Sequence, residues 1–263
     1  MLNSVCVKAC ELTEKVGAFI QSELHTISSG DIESKGKNDF VSYVDKTAEK
    51  LLIGGLEKLL PAAGFIAEEN TRSNRGSTYN WVIDPLDGTT NFIHGLPCYS
   101  ISLGLLEHDI PVMGIVNELN LKECFYAVEN SGAFCNKKPI RVSKPTRLSE
   151  SLIATGFPYT DFDQMDQYMN LFRDLMEKTH GLRRLGSAAV DLAYVACGRF
   201  DAFYEYGLKP WDVAGGSFIV QQAGGTISDF KGGENYLFGK ELIACTPGIY
   251  REFQTIVSNY FLV

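Results

Sequence analysis

Histidine is scarce in this chain: only His25, His94, His108 and His180 occur, and no two stand at a ligand spacing such as His-x-x-x-His. A zinc centre built on imidazole is therefore not readable. Cys-x-x-Cys is also missing, although seven cysteines are present (Cys6, Cys10, Cys98, Cys124, Cys135, Cys197 and Cys245). That absence, with the odd count, excludes a zinc ribbon and a thioredoxin-type pair and predicts seven free thiols in a reducing cytoplasm. Positive charge is in deficit, with 24 Lys and Arg against 32 Asp and Glu and a net charge of −8. A nucleic-acid binder concentrates Lys and Arg, so nucleic acid is not expected as the main partner. No apolar run approaches the ~18 residues that span a bilayer, so no membrane segment is predicted. Met1-Leu2-Asn3-Ser4 opens no secretory signal. Internal repeats and low-complexity tracts are absent as well.

What remains is an ordinary globular composition, 45% hydrophobic over 263 residues, enough to bury a substantial core. Leu12, Val16, Phe19, Ile20 and Leu24 recur at helical spacing, which predicts a helix over about residues 5–27. A polar stretch, Ser28 to Asp39, follows. Ala48, Leu51, Leu52, Leu56, Leu59 and Leu60 predict a second helix over about 45–60 with these residues on one side. Two short apolar strands come next. Phe65-Ile66-Ala67 ends in Glu68-Glu69, and Trp81-Val82-Ile83 runs into Asp84. Extended segments at about 100–106, 111–117, 122–128 and 132–135 predict an antiparallel meander, with a hairpin turn near Asn136 to Pro139. Beyond a break at Ser143 to Thr146, strands and helices alternate to the end. The reading is one α/β (layered α+β) domain over 1–263, made of two fused halves that divide near residue 145. The first half holds an antiparallel meander and the second alternates strands with helices.

Asp84-Pro85-Leu86-Asp87-Gly88-Thr89-Thr90-Asn91-Phe92 is the most informative segment. A strand delivers Asp84, Pro85 fixes φ, and Gly88 frees the backbone, so the chain turns here. Thr89 to Asn91 suit a helix start, whose N–H groups attract phosphate. A plain turn with an aspartate cap would explain Asp84 alone. It does not explain two acids bracketing a proline, or Glu68-Glu69 closing a neighbouring strand. Clustered carboxylates repel unless cations lie among them, and hard oxygen donors without histidine favour Mg²⁺ or Mn²⁺. Such cations would also let an acidic protein hold an anionic substrate. Asp212, after Pro210-Trp211, could be a helix cap, and Ala214-Gly215-Gly216 is poor helix material suited to a close approach. Asp45 could likewise cap its helix, Glu205 could be an exposed strand end, Gly186-Ser187-Ala188-Ala189 could be close packing, and Lys35 could be a solvated lysine.

Together these segments resemble the inositol monophosphatase family. The resemblance is carried by Ala67-Glu68-Glu69-Asn70, by Asp84 to Phe92, and by Trp211-Asp212-Val213-Ala214-Gly215. It extends through Asp39-Phe40-Val41 with Asp45, Gly132 to Val142, and Arg183 to Ala189. The resemblance implies a layered α/β fold, with a largely antiparallel sheet in the N-terminal half, a mixed sheet in the C-terminal half and helices between and outside. It also implies a Mg²⁺-dependent, often Li⁺-sensitive, homodimeric phosphomonoesterase acting on inositol monophosphate or a similar polyol or sugar phosphate. It implies that Glu68, Asp84 and the Leu86 carbonyl hold one ion, and Asp84, Asp87 and Asp212 a second. Glu68, with Asp45 nearby, would hold a weaker third. Gly88 and Thr89 would grip phosphate through backbone N–H groups, and Thr89, backed by Asp45, would orient the attacking water. Asp87, Gly186, Ser187, Ala188 and Glu205 would face the substrate hydroxyls. Attack would be direct and inverting, with no covalent intermediate. The 3′-nucleotide phosphatases of the superfamily carry Lys-Glu where this chain has Thr90-Asn91, which favours the inositol type. Histidinol phosphate and fructose 1,6-bisphosphate remain alternatives, as does a regulatory or RNA-associated binding role.

Overall fold

The first helical spacing is realised as α1 (Leu2–Glu23), whose buried stripe includes Val5, Ala9, Val16 and Ile20. The chain is represented by a computed structural model that describes residues 1–24, 32–36, 39–72, 74–158 and 162–261, with the backbone alone over 32–36 and 39–42. The polar stretch after α1 holds an antiparallel pair, β1 (Ile32–Gly36) and β2 (Asp39–Ser42), which hydrophobic periodicity did not reveal. The side chains of Lys35, Asp39, Phe40 and Val41 lie outside the described set. In α2 (Tyr43–Leu59), Ala48, Leu52 and Leu56 are buried as expected. Leu51 is not: it is 46% exposed, and Glu49 takes a place on the buried face instead.

Seven strands then form one sheet in sequence order: β3 (Gly64–Ala67), β4 (Tyr79–Asp87), β5 (Ser100–Glu107), β6 (Ile110–Glu118), β7 (Glu123–Val128), β8 (Ala133–Cys135) and β9 (Lys138–Ile140). All its neighbours are antiparallel except β3 and β4. A short helix, α3 (Thr89–Ile93), interrupts the chain between β4 and β5. Asn136 and Lys137 join β8 to β9 with φ of 46° and 68°. Positive φ at both positions is what a tight hairpin turn needs, and Asn supplies it with little strain.

The second half contributes β10 (Leu152–Thr155), α4 (Met165–Lys178), β11 (Gly181–Arg183), α5 (Ala188–Ala196), β12 (Ala202–Tyr206), α6 (Pro210–Gln222), β13 (Thr226–Ser228), β14 (Glu241–Cys245) and α7 (Pro247–Phe261). Its five-stranded sheet runs β11-β10-β12-β14-β13. It is mixed: β10 is parallel to β11 and β12, and β14 is antiparallel to β12 and β13. The α/β architecture is thus the one expected. Helices α1 and α2 cover one face of the large sheet, α5 and α6 fill the space between sheets, and α4 and α7 cover the far side of the small one.

The small residues of α6 let it approach its neighbours closely, Gly216 on the Leu192 side chain and Gly215 on backbone. A Cβ on Gly215 would meet the Leu103 carbonyl at 2.7 Å, and one on Gly114 would meet the Gly215 carbonyl at 2.2 Å. The helix therefore lies directly on β5 and β6, buried without a break from Val213 to Val220. This contact sets how deeply the N-terminal end of α6 reaches into the molecule, and with it Asp212. All seven cysteines are free thiols. Among the described residues, no helix is long and apolar enough to cross a membrane.

Candidate active site

The cleft is shaped first by an irregularity in β4. Asp84 pairs with Ser102, but Asp87 pairs with Ser100, so one extra residue is accommodated around Pro85 and Leu86. Proline has no N–H to give the ladder, and such bulges re-aim side chains. Asp84 and Asp87 both line the resulting cleft. The Leu86 N–H donates to Asp84 Oδ1 at 2.9 Å, which steadies the turn. Gly88 then adopts φ 91°, and a Cβ there would sit 3.0 Å from the Cys98 carbonyl, so only glycine suits both the conformation and the space.

Thr89 opens α3, yet it is not the cap. The N-cap is Gly88, with no side-chain capping bond. The Thr89 hydroxyl instead lies 3.1 Å from Asp45 Oδ1 and 2.9 Å from the Leu86 carbonyl, donating its single proton to one or the other. Asp45, in the first turn of α2, is 1% exposed. The turn after β4 and the start of α2 thereby meet through Thr89.

The other half supplies the opposite wall. Asp87 Oδ2 accepts from the Ser187 hydroxyl at 2.6 Å and from the Ala189 N–H at 2.7 Å. Ser187 also caps α5. Gly186, Ser187 and Ala188 line the cleft, so these expected substrate neighbours stand together. Glu205 is buried, not an exposed strand end, and faces Gly156, where a Cβ would fall 1.9 Å from its carboxylate. Asp212 is the third residue of α6, and its Oδ2 accepts from the Lys209 N–H at 2.6 Å. The N-cap is Lys209, so Asp212 is not the N-cap the sequence allowed; from the third helical position it reaches back to the N-cap amide, as in a capping box. This bond coexists with a place on the cleft wall, close enough to Asp84 to repel it.

Electrostatics give the arrangement its meaning. Burial pushes the Asp84 carboxyl well above the usual range, and Glu68, Asp87 and Asp212 raise it further. Side-chain contact with Glu68 raises it as well. Burial lifts Asp87 to about 6, against the lowering effect of Ser187, the Ala189 and Ala188 N–H groups and Arg184. Burial likewise raises Glu205, helped by Asp212, Asp191 and Asp87. Asp84 thus stands among three further acids that each disfavour its charge, and the chemistry of such a set of hard oxygen donors suits a divalent cation. Among the described residues, as they are placed, no three of Asp, Glu, His or Cys stand together so as to hold a metal ion. Asp84, Asp87 and Asp212 each lend an oxygen to a protein N–H or hydroxyl.

The cleft, about 240 Å³ in volume, also contains residues to which the sequence reading gave no role. Asp191 is 1% exposed on α5, and its Oδ1 has no hydrogen-bond partner among the described residues. A lone acid in the apolar run Ala188-Ala189-Val190-Asp191-Leu192-Ala193 was the available signal. Arg184 lies in one of the segments that carry the resemblance, but only the fold shows it entering the cleft, its guanidinium over the Phe157 ring at 5.3 Å. Lys209 and Trp211 complete that side.

The profile of the inositol monophosphatase family matches residues 1–259. The "Putative Nus factor SuhB" of Neisseria meningitidis serogroup B is 37% identical over 98% of this chain and 100% of its own length. The inositol-1-monophosphatase of Mesorhizobium japonicum is 35% identical over 90% of each chain. Among solved structures, the Thermotoga maritima IMPase superposes with a TM-score of 0.87 at 35% identity, covering 96% of both chains. The extragenic suppressor protein suhB of Bartonella henselae gives 0.89 at 36% identity, covering 97% of both. The chain belongs to the inositol monophosphatase family.

Proposed function

We propose that this protein is a Mg²⁺-dependent phosphomonoesterase that hydrolyses inositol monophosphate, or a similar small polyol or sugar phosphate, to the alcohol and inorganic phosphate. The observation that carries the reading is the convergence of Glu68, Asp84, Asp87 and Asp212, drawn from both halves of the fold, on one cleft beside Thr89. Glu68, Asp84, Asp87, Asp212 and the Leu86 carbonyl would hold magnesium, with manganese able to substitute. When bound, the metal lowers the pKa of water and offsets the charge of the phosphate and the departing oxygen.

The chain's own groups do the rest. Backbone N–H groups of Gly88 and Thr89, in a helix start with no capping side chain, receive the phosphate oxygens. Thr89 donates to Asp45, which leaves its oxygen to accept a hydrogen bond from the attacking water and aim it. As the water attacks, its proton passes to Thr89 Oγ1 and the hydroxyl's own proton passes to Asp45. Ser187 holds Asp87 in place, and Glu205 with Asp191 presents oxygens to the substrate hydroxyls from the far wall. The cleft volume of about 240 Å³ suits a small substrate, below the ~300–1,000 Å³ of pockets that take drug-sized molecules.

Stability should report the same site. In the metal-free protein Asp84 and Asp87 bind protons more tightly folded than unfolded, where the ordinary value is 3.8. The folded state then carries the extra protons, so this contribution is fully present below about pH 4 and is lost as pH rises through Asp87's value of about 6. Magnesium takes the place of those protons. We expect its addition to raise the melting temperature more at about pH 7.5 than at about pH 5, as for any ligand competing with protons. Equal gains at the two values would contradict the site.

A phosphate-release screen over inositol, sugar, histidinol and nucleotide phosphates with Mg²⁺ tests the substrate class. Inositol monophosphates should exceed 3′-phosphoadenosine 5′-phosphate in kcat/KM, given Thr90-Asn91 after Gly88-Thr89. A reversed order would move the chain to the nucleotidases. A homodimeric state, Li⁺ inhibition and a cytoplasmic location belong to the same proposal. The naming of several relatives as Nus factors favours a second, regulatory role beside catalysis. An inactive variant that still restores the phenotype of a deletion strain would assign the cellular role to that second reading.

A further inference from the structure

Helix α2 carries a second buried carboxylate one turn beyond Asp45. Glu49 is 0% exposed and lies outside the cleft, yet both of its oxygens are engaged. Oε2 accepts from the Glu69 N–H at 2.7 Å. Oε1 accepts from the Thr71 N–H at 2.7 Å and the Thr71 hydroxyl at 2.6 Å. Removing a carboxylate from water is costly unless such charge-assisted bonds replace its hydration.

The two backbone donors flank Asn70, whose φ is 52°, in the left-handed region that most side chains avoid. Glu49 thus closes a clamp around a left-handed residue in the turn that follows β3. Glu68 is the residue immediately before the clamp. Its N–H is fixed on the Ile83 carbonyl at 3.2 Å, and its side chain meets Asp84. Glu68 is therefore held at its own amide by β4 and at the next amide by Glu49. One helix face serves both ends of the site: Asp45 reaches Thr89, and Glu49 reaches the turn that aims Glu68.

We infer that Glu49 is a positioning residue that fixes the Glu68–Thr71 turn and so determines how tightly Glu68 holds a divalent cation beside Asp84. This rests on the proposed reading of Glu68 as a metal ligand. The competing account makes Glu49 a core staple that supports folding alone. The two differ in what they do to metal affinity in a folded protein.

Glu49→Gln keeps the size but replaces one acceptor oxygen with an amide donor, which confronts either the Glu69 or the Thr71 N–H and opens half the clamp. Metal-stripped wild type, Glu49→Gln and Thr71→Val should be titrated with Mg²⁺ by calorimetry and with Mn²⁺ by electron paramagnetic resonance. Exchange of the Glu69 and Thr71 amides should be followed alongside. Glu49→Gln is expected to bind ~10–100-fold more weakly, the scale of losing an outer-shell partner, with faster exchange at both amides and kcat restored at saturating Mg²⁺. Thr71→Val removes only the hydroxyl bond and should weaken binding ~3–10-fold in the same direction, so it carries the test if Glu49→Gln does not fold. Affinity within twofold of wild type in a folded Glu49→Gln, or in Thr71→Val if only that variant folds, overturns the positioning role. A Glu68→Gln variant that binds metal as wild type does overturns the reading beneath it.

Discussion

Asp84→Asn is expected to lower kcat/KM on the order of 10³-fold while raising the melting temperature of the metal-free protein. The two effects have one cause. Asp84 is 1% exposed and surrounded by Glu68, Asp87 and Asp212, each of which disfavours its charge. Asparagine keeps the shape and removes the charge. Its carbonyl can take the Leu86 N–H that Asp84 Oδ1 now accepts, and its amide can donate to Glu68. A buried acid without a counter-charge is thus replaced by a group whose hydrogen bonds are met. The same change removes an anionic ligand shared between two proposed ions, so turnover fails. Strained electrostatics of this kind are where stability and activity trade against each other. Both quantities are needed: a variant that unfolds says nothing of catalysis, and one that keeps wild-type turnover would reduce Asp84 to a turn residue.

Thr89→Ala should lose ~10²–10⁴-fold in kcat, the usual range for a positioned proton-transfer group, with KM nearly unchanged. The hydroxyl touches Asp45 and the Leu86 carbonyl, and it caps nothing. Phosphate grip would persist because alanine supplies the same backbone N–H. Metal binding would persist because no carboxylate is altered. A helix-start role predicts the opposite pattern, a cost of ~1 kcal/mol in stability and little in rate. Measuring kcat, KM and melting temperature together separates the two. A lower melting temperature with unchanged kcat would refute the catalytic assignment.

The parts of the site visible in the sequence were those whose chemistry breaks a local pattern. Acids at the ends of apolar strands, and a proline between two of them, have no packing reason to exist, so Glu68, Asp84 and Asp87 stood out. Asp212 was legible only jointly, since its capping bond to Lys209 is genuine and a cap was the simpler reading. Asp191 and Arg184 were not assigned because their role depends on α5 and the preceding turn reaching the cleft, a contact made across the fold. Glu49 received no reading from the sequence, while the spacing places Leu51 on the apolar side of its helix. The helix is rotated so that the carboxylate meets the Glu69 and Thr71 amides and the leucine meets solvent. The β1–β2 pair escaped because its residues alternate no apolar face. The meander and most of the alternating second half were legible because strands such as β5, β6 and β14 are apolar and bounded by turn residues, whereas β11, Gly181-Leu182-Arg183, is too short and polar to register.

The account stands or falls on whether these oxygens hold magnesium that turnover requires. Phosphate release from inositol monophosphate should be followed in protein stripped by exhaustive chelation, then with Mg²⁺, Mn²⁺ or Ca²⁺ restored one at a time. The expected result is no turnover without metal, recovery with Mg²⁺ or Mn²⁺, and inhibition by Ca²⁺, whose looser coordination suits the cage poorly. Full turnover in the stripped protein would contradict the account.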